Sequence, residues 1–197
     1  MADLEKTRKN LEGRGFRVHR FASGAEAAEF LVQTLHGTSI GIGGSVTIDT
    51  LGVYDRLCGS NEVFWHWKNH APETRERAGK AETYLCSANG VSENGEIVNI
   101  DGFGNRLAAT LYGPRKVYMI VGENKLADTL DAAMDRIKNV SCPRNAKRLN
   151  LKTPCAVLGR CTDCSSPDRM CHATLILDRK PNAHPMEILL VAQELGY

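Results

Sequence analysis

The sequence predicts an α/β fold: a mostly parallel sheet flanked by helices, with an inserted β-hairpin and a cysteine-rich C-terminal loop. Three observations carry this. Short apolar, strand-like runs alternate with helix-forming stretches over residues 16–140, the pattern of strand–helix–strand units. Two strong turn dipeptides, Asn89-Gly90 and Asn94-Gly95, follow each other closely and frame hairpin strands. Four cysteines, Cys155, Cys161, Cys164 and Cys171, fall within 17 consecutive residues that show neither helical nor strand periodicity. At 197 residues the chain suits one domain spanning 1–197, with a cysteine-rich loop at 142–172 inside it.

The elements follow in order. Asp3 to Glu12 is charged and helix-favouring and stops at Gly13 and Gly15. Phe16 to Phe21 alternates apolar and polar residues as a strand does. Ser23 and Glu26 have capping-box spacing and open a helix over 25–36, closed by Gly37. Ser39 to Ile42 is a short apolar strand running into Gly43, Gly44 and Ser45, with a second helix from Val46. Val63 to Trp67 reads as a strand and Glu73 to Lys80 as a polar surface helix. Thr83 to Ser87, Glu96 to Ile100 and Lys116 to Val121 are further strands. Leu126, Leu130, Ala133, Met134 and Ile137 recur at helical spacing over about 126–138. Cys142-Pro143 reads as the end of regular structure until the final strands at Thr174 to Leu177 and Ile188 to Val191. In Phe64-Trp65-His66-Trp67 the two tryptophans read as core packing, with a subunit interface as the alternative.

Composition narrows the class. The net charge is +2, from 25 Lys and Arg against 23 Asp and Glu, which gives no support to a nucleic-acid partner. Hydrophobic residues are 42% and charged residues 24%, which is globular rather than disordered composition. The N-terminal Met1-Ala2-Asp3-Leu4-Glu5-Lys6 has no apolar core of the kind a secretory leader needs, and no run of apolar residues suits a membrane span. The expectation is a cytoplasmic protein. An odd total of seven cysteines argues against a disulfide scaffold there.

Three stretches carry candidate chemistry. Gly41-Ile-Gly43-Gly44-Ser45 joins a strand to a helix. Glycines admit an anion close to the backbone, and Ser45 adds a hydroxyl or a helix cap. It lacks the Rossmann spacing and the lysine of a phosphate-binding P-loop, so a turn needed only for packing is the competing reading. The stretch 87–106 is dense in Asn, Gly and acid; Asn99 and Asp101 share a strand face, and Asn105 and Arg106 follow the next turn. They line a polar site or a solvated strand face.

The third stretch is the cysteine run. Cys161 and Cys164 form a Cys-x2-Cys bite that Cys155 and Cys171 can close from either side. Four thiolates suit a [4Fe-4S] cluster or, alternatively, zinc, and the spacing matches neither a zinc ribbon nor the bacterial ferredoxin run. His172 is an adjacent substitute ligand or a structural histidine. Cys58, Cys86 and Cys142 read as ordinary small core residues. Arg144, Lys147, Arg148, Arg160 and Arg169 balance thiolate charge or a bound anion, or are a solvated surface.

Taken together these motifs resemble the LUD (lactate-utilisation) domain family over nearly the whole chain. The matching stretches are 41–45, Glu93 to Arg106, Val121 to Lys125, Asn145 to Arg148, Thr153-Pro-Cys155 and the cysteine run. The resemblance implies the superfold shared by ribose-5-phosphate isomerase, glucosamine-6-phosphate deaminase and CoA transferases. It implies that Gly43, Gly44, Ser45, Asn89, Asn99, Asp101, Asn105, Arg106, Asn124 and Lys125 bind a small anionic or phosphate-bearing ligand. Some members take part in oxidising lactate to pyruvate beside iron–sulfur partner proteins. This chain lacks the twin ferredoxin motifs of such a partner, and its tail looks like that of stand-alone members. Ser92-Glu93-Asn94-Gly95 also resembles the motif that carries the catalytic glutamate of CoA transferases, which makes Glu93 a candidate nucleophile.

Three functions are therefore expected in competition. One is an organic-acid redox protein with a bound anion, an iron–sulfur cluster and a redox partner. The second is a transferase or isomerase whose cysteines hold only a structural metal. The third is a non-catalytic redox or assembly subunit. Oligomer formation stays open.

Overall fold

The computed structural model describes residues 2–197. The chain begins with α1 (Leu4–Gly13), β1 (Arg17–Phe21), α2 (Gly24–Thr34), β2 (Ser39–Ile42), α3 (Val46–Leu51), α4 (Tyr54–Cys58), β3 (Glu62–Trp65) and α5 (Thr74–Lys80). It continues through β4 (Thr83–Ser87), β5 (Gly90–Ser92), β6 (Ile97–Asp101), α6 (Asn105–Leu111) and β7 (Lys116–Gly122). A short 3-10 turn, Glu123–Lys125, leads to β8 (Leu126–Ala127) and α7 (Leu130–Arg136). The last elements are α8 (Cys142–Arg148), α9 (Pro154–Leu158), β9 (Ala173–Leu177) and β10 (Met186–Val191).

Six strands form an all-parallel sheet in the order β1-β10-β7-β4-β2-β3. The central strands β7 and β10 are covered on both faces, so Val117 to Val121 and Ile188 to Val191 read as apolar runs rather than alternating ones. One face packs on α2, α3 and α4 through Ala27, Leu31, Ile48 and Leu57. The other packs on α1, α5 and α6 and on a second sheet, through Leu11, Ala78, Ala109, Val91 and Ile97.

That second sheet, in the order β8-β5-β6-β9, contains the expected hairpin: β5 and β6 are antiparallel and are joined by a turn at Asn94-Gly95. The strand expected at the C-terminal end of the cysteine run is β9, antiparallel to β6. The sheet therefore ties the hairpin to the chain leaving the cysteines.

Local signals decided most boundaries. Asp3 caps α1, its carboxylate accepting from the Glu5 and Lys6 N–H groups at 2.8 and 3.0 Å. At α2 the Ser23 hydroxyl accepts from Glu26 N–H at 3.3 Å while the Glu26 carboxylate accepts from Ala22 N–H at 2.9 Å, a capping pair shifted by one residue.

One expectation fails. The chain does not lose regular structure at Cys142-Pro143. A π turn over Ile137–Ser141 follows α7 and runs directly into α8, which holds Pro143 in its first turn. The wide turn breaks the α-helical hydrogen-bond register just before the residue that has no N–H to give. No helix among the described residues is long and apolar enough to cross a membrane.

Candidate functional site

The chain leaves β2 for β3 at one edge of the sheet, whereas β4 leads toward β7 and β10 on the other side. Neighbouring strands with diverging connections leave a crevice at their carboxyl ends, where ligands bind in open α/β sheets. A pocket of about 470 Å³ opens there. Gly44, Ser45 and Thr47 reach it after β2, His66 and Trp67 after β3, Ser87 at the end of β4, Asn89 after it, and Lys125 after β7. Asp101, Asn105 and Arg106 close one side, and Asn145 and Arg148 of α8 close the other.

Two glycines of the loop serve packing. A Cβ on Gly41 would lie 1.9 Å from the carbonyl oxygen of Ala78, so α5 crosses β2 only over a glycine. A Cβ on Gly43 would meet the Tyr84 hydroxyl at 2.9 Å and the Arg106 stem at 3.3 Å, so Gly43 leaves the passage that Arg106 uses. Ser45 caps α3, its hydroxyl accepting from Ile48 N–H at 3.2 Å.

Arg106 is held from three sides. Its Nη2 donates to the Ile100 carbonyl at 2.7 Å and to Asn89 Oδ1 at 3.2 Å, and Asp101 Oδ2 lies 3.7 Å from its Nε. The same Asp101 carboxylate accepts the Arg106 backbone N–H at 3.2 Å. Asn89 Oδ1 also accepts from Ile100 N–H at 2.8 Å.

Lys125 lies at the floor of the pocket, 3% exposed. Its Nζ donates to Thr47 Oγ1 at 2.6 Å and to Ser87 Oγ at 2.7 Å. Burial, with Arg106 and Arg136 nearby, lowers its pKa to about 7. Burial, and then Arg75, also lower the pKa of His66. Arg75, Arg106, Lys125 and Arg148 thus face one carboxylate, Asp101, across the pocket. The surplus of cationic groups suits an anion.

A second cavity, of about 140 Å³, is lined by Cys142, Cys155, Cys161, Cys164 and Cys171. Arg169 organises its loop: Nη1 donates to the Cys164 carbonyl at 2.6 Å, Nε to the Cys171 carbonyl at 3.1 Å and Nη2 to Asp163 at 3.0 Å. Asn139 accepts the Cys161 N–H at 3.1 Å, and the Thr153 hydroxyl sits 3.3 Å from Cys155 Sγ. All seven cysteines are free thiols. Among the described residues no three His, Cys, Asp or Glu side chains converge closely enough to hold a single metal ion. Ile100, Cys142, Met170 and Cys171 belong to the walls of both cavities.

The expected residues divide accordingly. Gly44, Ser45, Asn89, Asp101, Asn105, Arg106 and Lys125 meet in the pocket. Asn99 stands behind it, 1% exposed, accepting the Asn89 N–H. Asn124 turns to the C-terminal tail, accepting from Leu195 N–H at 3.1 Å and donating to the Gly196 carbonyl at 3.3 Å. The tail so held brings Tyr197 to the pocket. Glu93 lies away from the pocket, 2.6 Å from Lys6, with Asn10 donating to its carbonyl at 2.7 Å. Trp65 is core, and Trp67 stacks on it and reaches the pocket.

Two cysteine expectations are corrected. Cys142 is no isolated core thiol but faces Cys155, Cys161 and Cys171, and burial with those thiols pushes it up to about 12. Cys58 is exposed; only Cys86 is a buried core thiol. His172 lines neither cavity, and its N–H donates to the Asp101 carbonyl at 3.1 Å. Arg148 stood among the basic residues expected to balance a bound anion or thiolate charge, whereas Thr47, His66, Ser87 and Arg75 were not anticipated. Of these, Thr47 and Ser87 carried a signal, one in the turn of helix after Ser45 and the other closing a buried strand.

No curated protein matches this chain. A crystal structure of a DUF162 family protein from Deinococcus radiodurans is similar in fold, with a TM-score of 0.53, 13% identity and 96% of each chain covered. The LUD domain pattern matches residues 4–191. The chain belongs to the LUD domain family.

Proposed function

We propose that this LUD-domain protein binds a small organic anion, a carboxylate or phosphate-bearing compound, and carries a [4Fe-4S] cluster in the cysteine cavity, serving lactate-type organic-acid redox metabolism in a reducing compartment. The observation that carries the reading is the wall shared by the two cavities. Ile100, Cys142, Met170 and Cys171 separate the cationic pocket from the five-thiol cavity, so an anion and a cluster would lie next to each other.

The donor set fits a cluster. The thiols line an enclosed space rather than converging on a point, as one tetrahedral zinc ion requires. The space itself exceeds the share of a few water molecules, about 30 Å³ each. Cys155, Cys161, Cys164 and Cys171 would hold the cluster, with Arg169 fixing the backbone of two of them. A cluster held by all four thiolates would supply one-electron transfer.

The chain's own residues do the rest. Arg106, braced by Asp101 and Asn89, fixes an anionic head by charge-assisted hydrogen bonds. Ile100 and Met170 keep water off the side facing the thiols. Glu93, paired with Lys6 outside the pocket, gives no support to a transferase reading.

Anaerobic purification with iron, sulfide and zinc analysis tests the proposal, together with visible spectra before and after adding pyruvate or lactate. Brown protein with iron and sulfide, and a spectrum that shifts with ligand, is expected. Colourless protein with stoichiometric zinc overturns it.

A further inference from the structure

We propose that Lys125 is a proton-coupled anchor: in mildly alkaline solution it is uncharged while the pocket lacks an anion and takes up one proton from solvent when an anion binds beside it. This rests on the anion-binding reading above and adds its proton stoichiometry.

The geometry makes the case. Lys125 is buried, and no Asp or Glu side chain pairs with it among the described residues. Its two hydrogen-bond partners are hydroxyls, whose own protons have other acceptors. Thr47 donates to the Leu195 carbonyl at 3.2 Å, and Ser87 reaches the Ala88 carbonyl at 3.2 Å. Both oxygens therefore receive N–H bonds from Lys125, and a neutral amine has two to give. An ammonium would bring a third N–H and a full charge.

The groups around it oppose that charge. Arg106 of α6 and Arg136 of α7 are cationic, and the buried thiol of Cys86 on β4 stays protonated, held up at about 11. Burial of a charge without a counter-charge is strongly unfavourable. Asp101 is already engaged with Arg106. A bound anion supplies the missing negative charge, which restores the ammonium form. The ligand class is thus a small carboxylate or oxyanion with an ionised group reaching the floor of the pocket.

The test uses oxalate and sulfate on the full chain, since both keep their charge across the range in which this amine titrates. Titration calorimetry in buffers of different ionisation enthalpy counts protons. Uptake approaching one proton per anion is expected above about pH 7, vanishing well below it. Affinity should fall up to tenfold per pH unit over the same range.

His66 also lines the pocket, and burial with Arg75 lowers its pKa, so it takes up protons only in more acidic solution. Lys125→Arg, which cannot shed its charge, separates the two: it should bind with no uptake above about pH 7. Lys125→Met should bind weakly at every pH. Anion binding by the unaltered protein without proton uptake overturns this inference alone, as does uptake that persists in Lys125→Arg. No binding of either anion at any pH removes the anion reading as well.

Discussion

The side-chain carbonyl of Asn99 accepts the backbone N–H of Asn89 at 3.0 Å, so a residue sealed from the pocket holds one that lines it. Asn89 in turn braces Arg106. Asn99→Leu removes one of the two acceptors of that N–H, which also donates to the Val98 carbonyl at 3.0 Å, and should cost about 0.5–1.5 kcal/mol. Urea denaturation should show that loss, and oxalate binding should weaken because Arg106 loses its brace.

Glycines 41 and 79 should behave oppositely. At Gly41 a methyl group collides with the Ala78 backbone, which no rotamer relieves, so Gly41→Ala should cost about 3 kcal/mol or more. Nothing lies within 4 Å of a Cβ at Gly79, inside α5, so Gly79→Ala should stabilise by about 0.5–1 kcal/mol through helix propensity. Thermal unfolding of the two variants checks the contrast.

Arg169→Ala removes the contacts that hold the carbonyls of Cys164 and Cys171. Loss of an outer partner of this kind lowers metal affinity by about 10–100-fold. Arg169→Lys should not rescue it, because one ammonium cannot reach both carbonyls and Asp163 in the fork geometry. Iron retention during chelator challenge measures both.

Thiol reactivity should follow burial. In metal-free protein at mildly alkaline pH, Cys58 is exposed and should alkylate first. Cys86 and Cys142, pushed up to about 11 and about 12, remain protonated and should resist until the chain unfolds. Peptide mapping of alkylated protein by mass spectrometry reads the order.

Glu187 on β10 is the one acid buried inside the central sheet. Burial opposes its charge, but Lys116 at 2.7 Å and His19 at 2.7 Å outweigh it, and its pKa is lowered. A depressed carboxyl pKa gives stability that is present above the unfolded-state value and is lost as pH falls through the folded one. Glu187→Gln should therefore lower stability at neutral pH by about 1–3 kcal/mol and flatten its decline in acid. Urea titrations across pH measure this.

The parallel sheet was legible because β2, β4, β7 and β10 are short apolar runs bounded by turns, and burial on both faces leaves no alternation to misread. The hairpin was legible in Asn94-Gly95, whereas Gly90, expected in a turn, opens β5 and pairs with Val98. The helix through Pro143 was not, since the π turn that accommodates proline has no composition of its own. Among site residues, Ser45, Asn89, Asp101, Asn105, Arg106 and Lys125 stood in recognisable stretches. Cys142 did not, because it joins the other thiols only when α8 folds back against α9. Asn99 and Asn124 were found as polar residues in the right stretches, but their neighbours in space, Asn89 and the C-terminal tail, determine what they do.

The docking of the tail has a practical consequence at the bench. Asn124 and Thr47 hold Leu195 and Gly196, and Tyr197 lies on the pocket wall. A purification handle fused after Tyr197 would emerge at the ligand entrance, where a polyhistidine tag brings its own imidazoles and affinity for metals. Samples for metal counting or anion titration are better prepared with the handle ahead of α1 and cleaved before measurement.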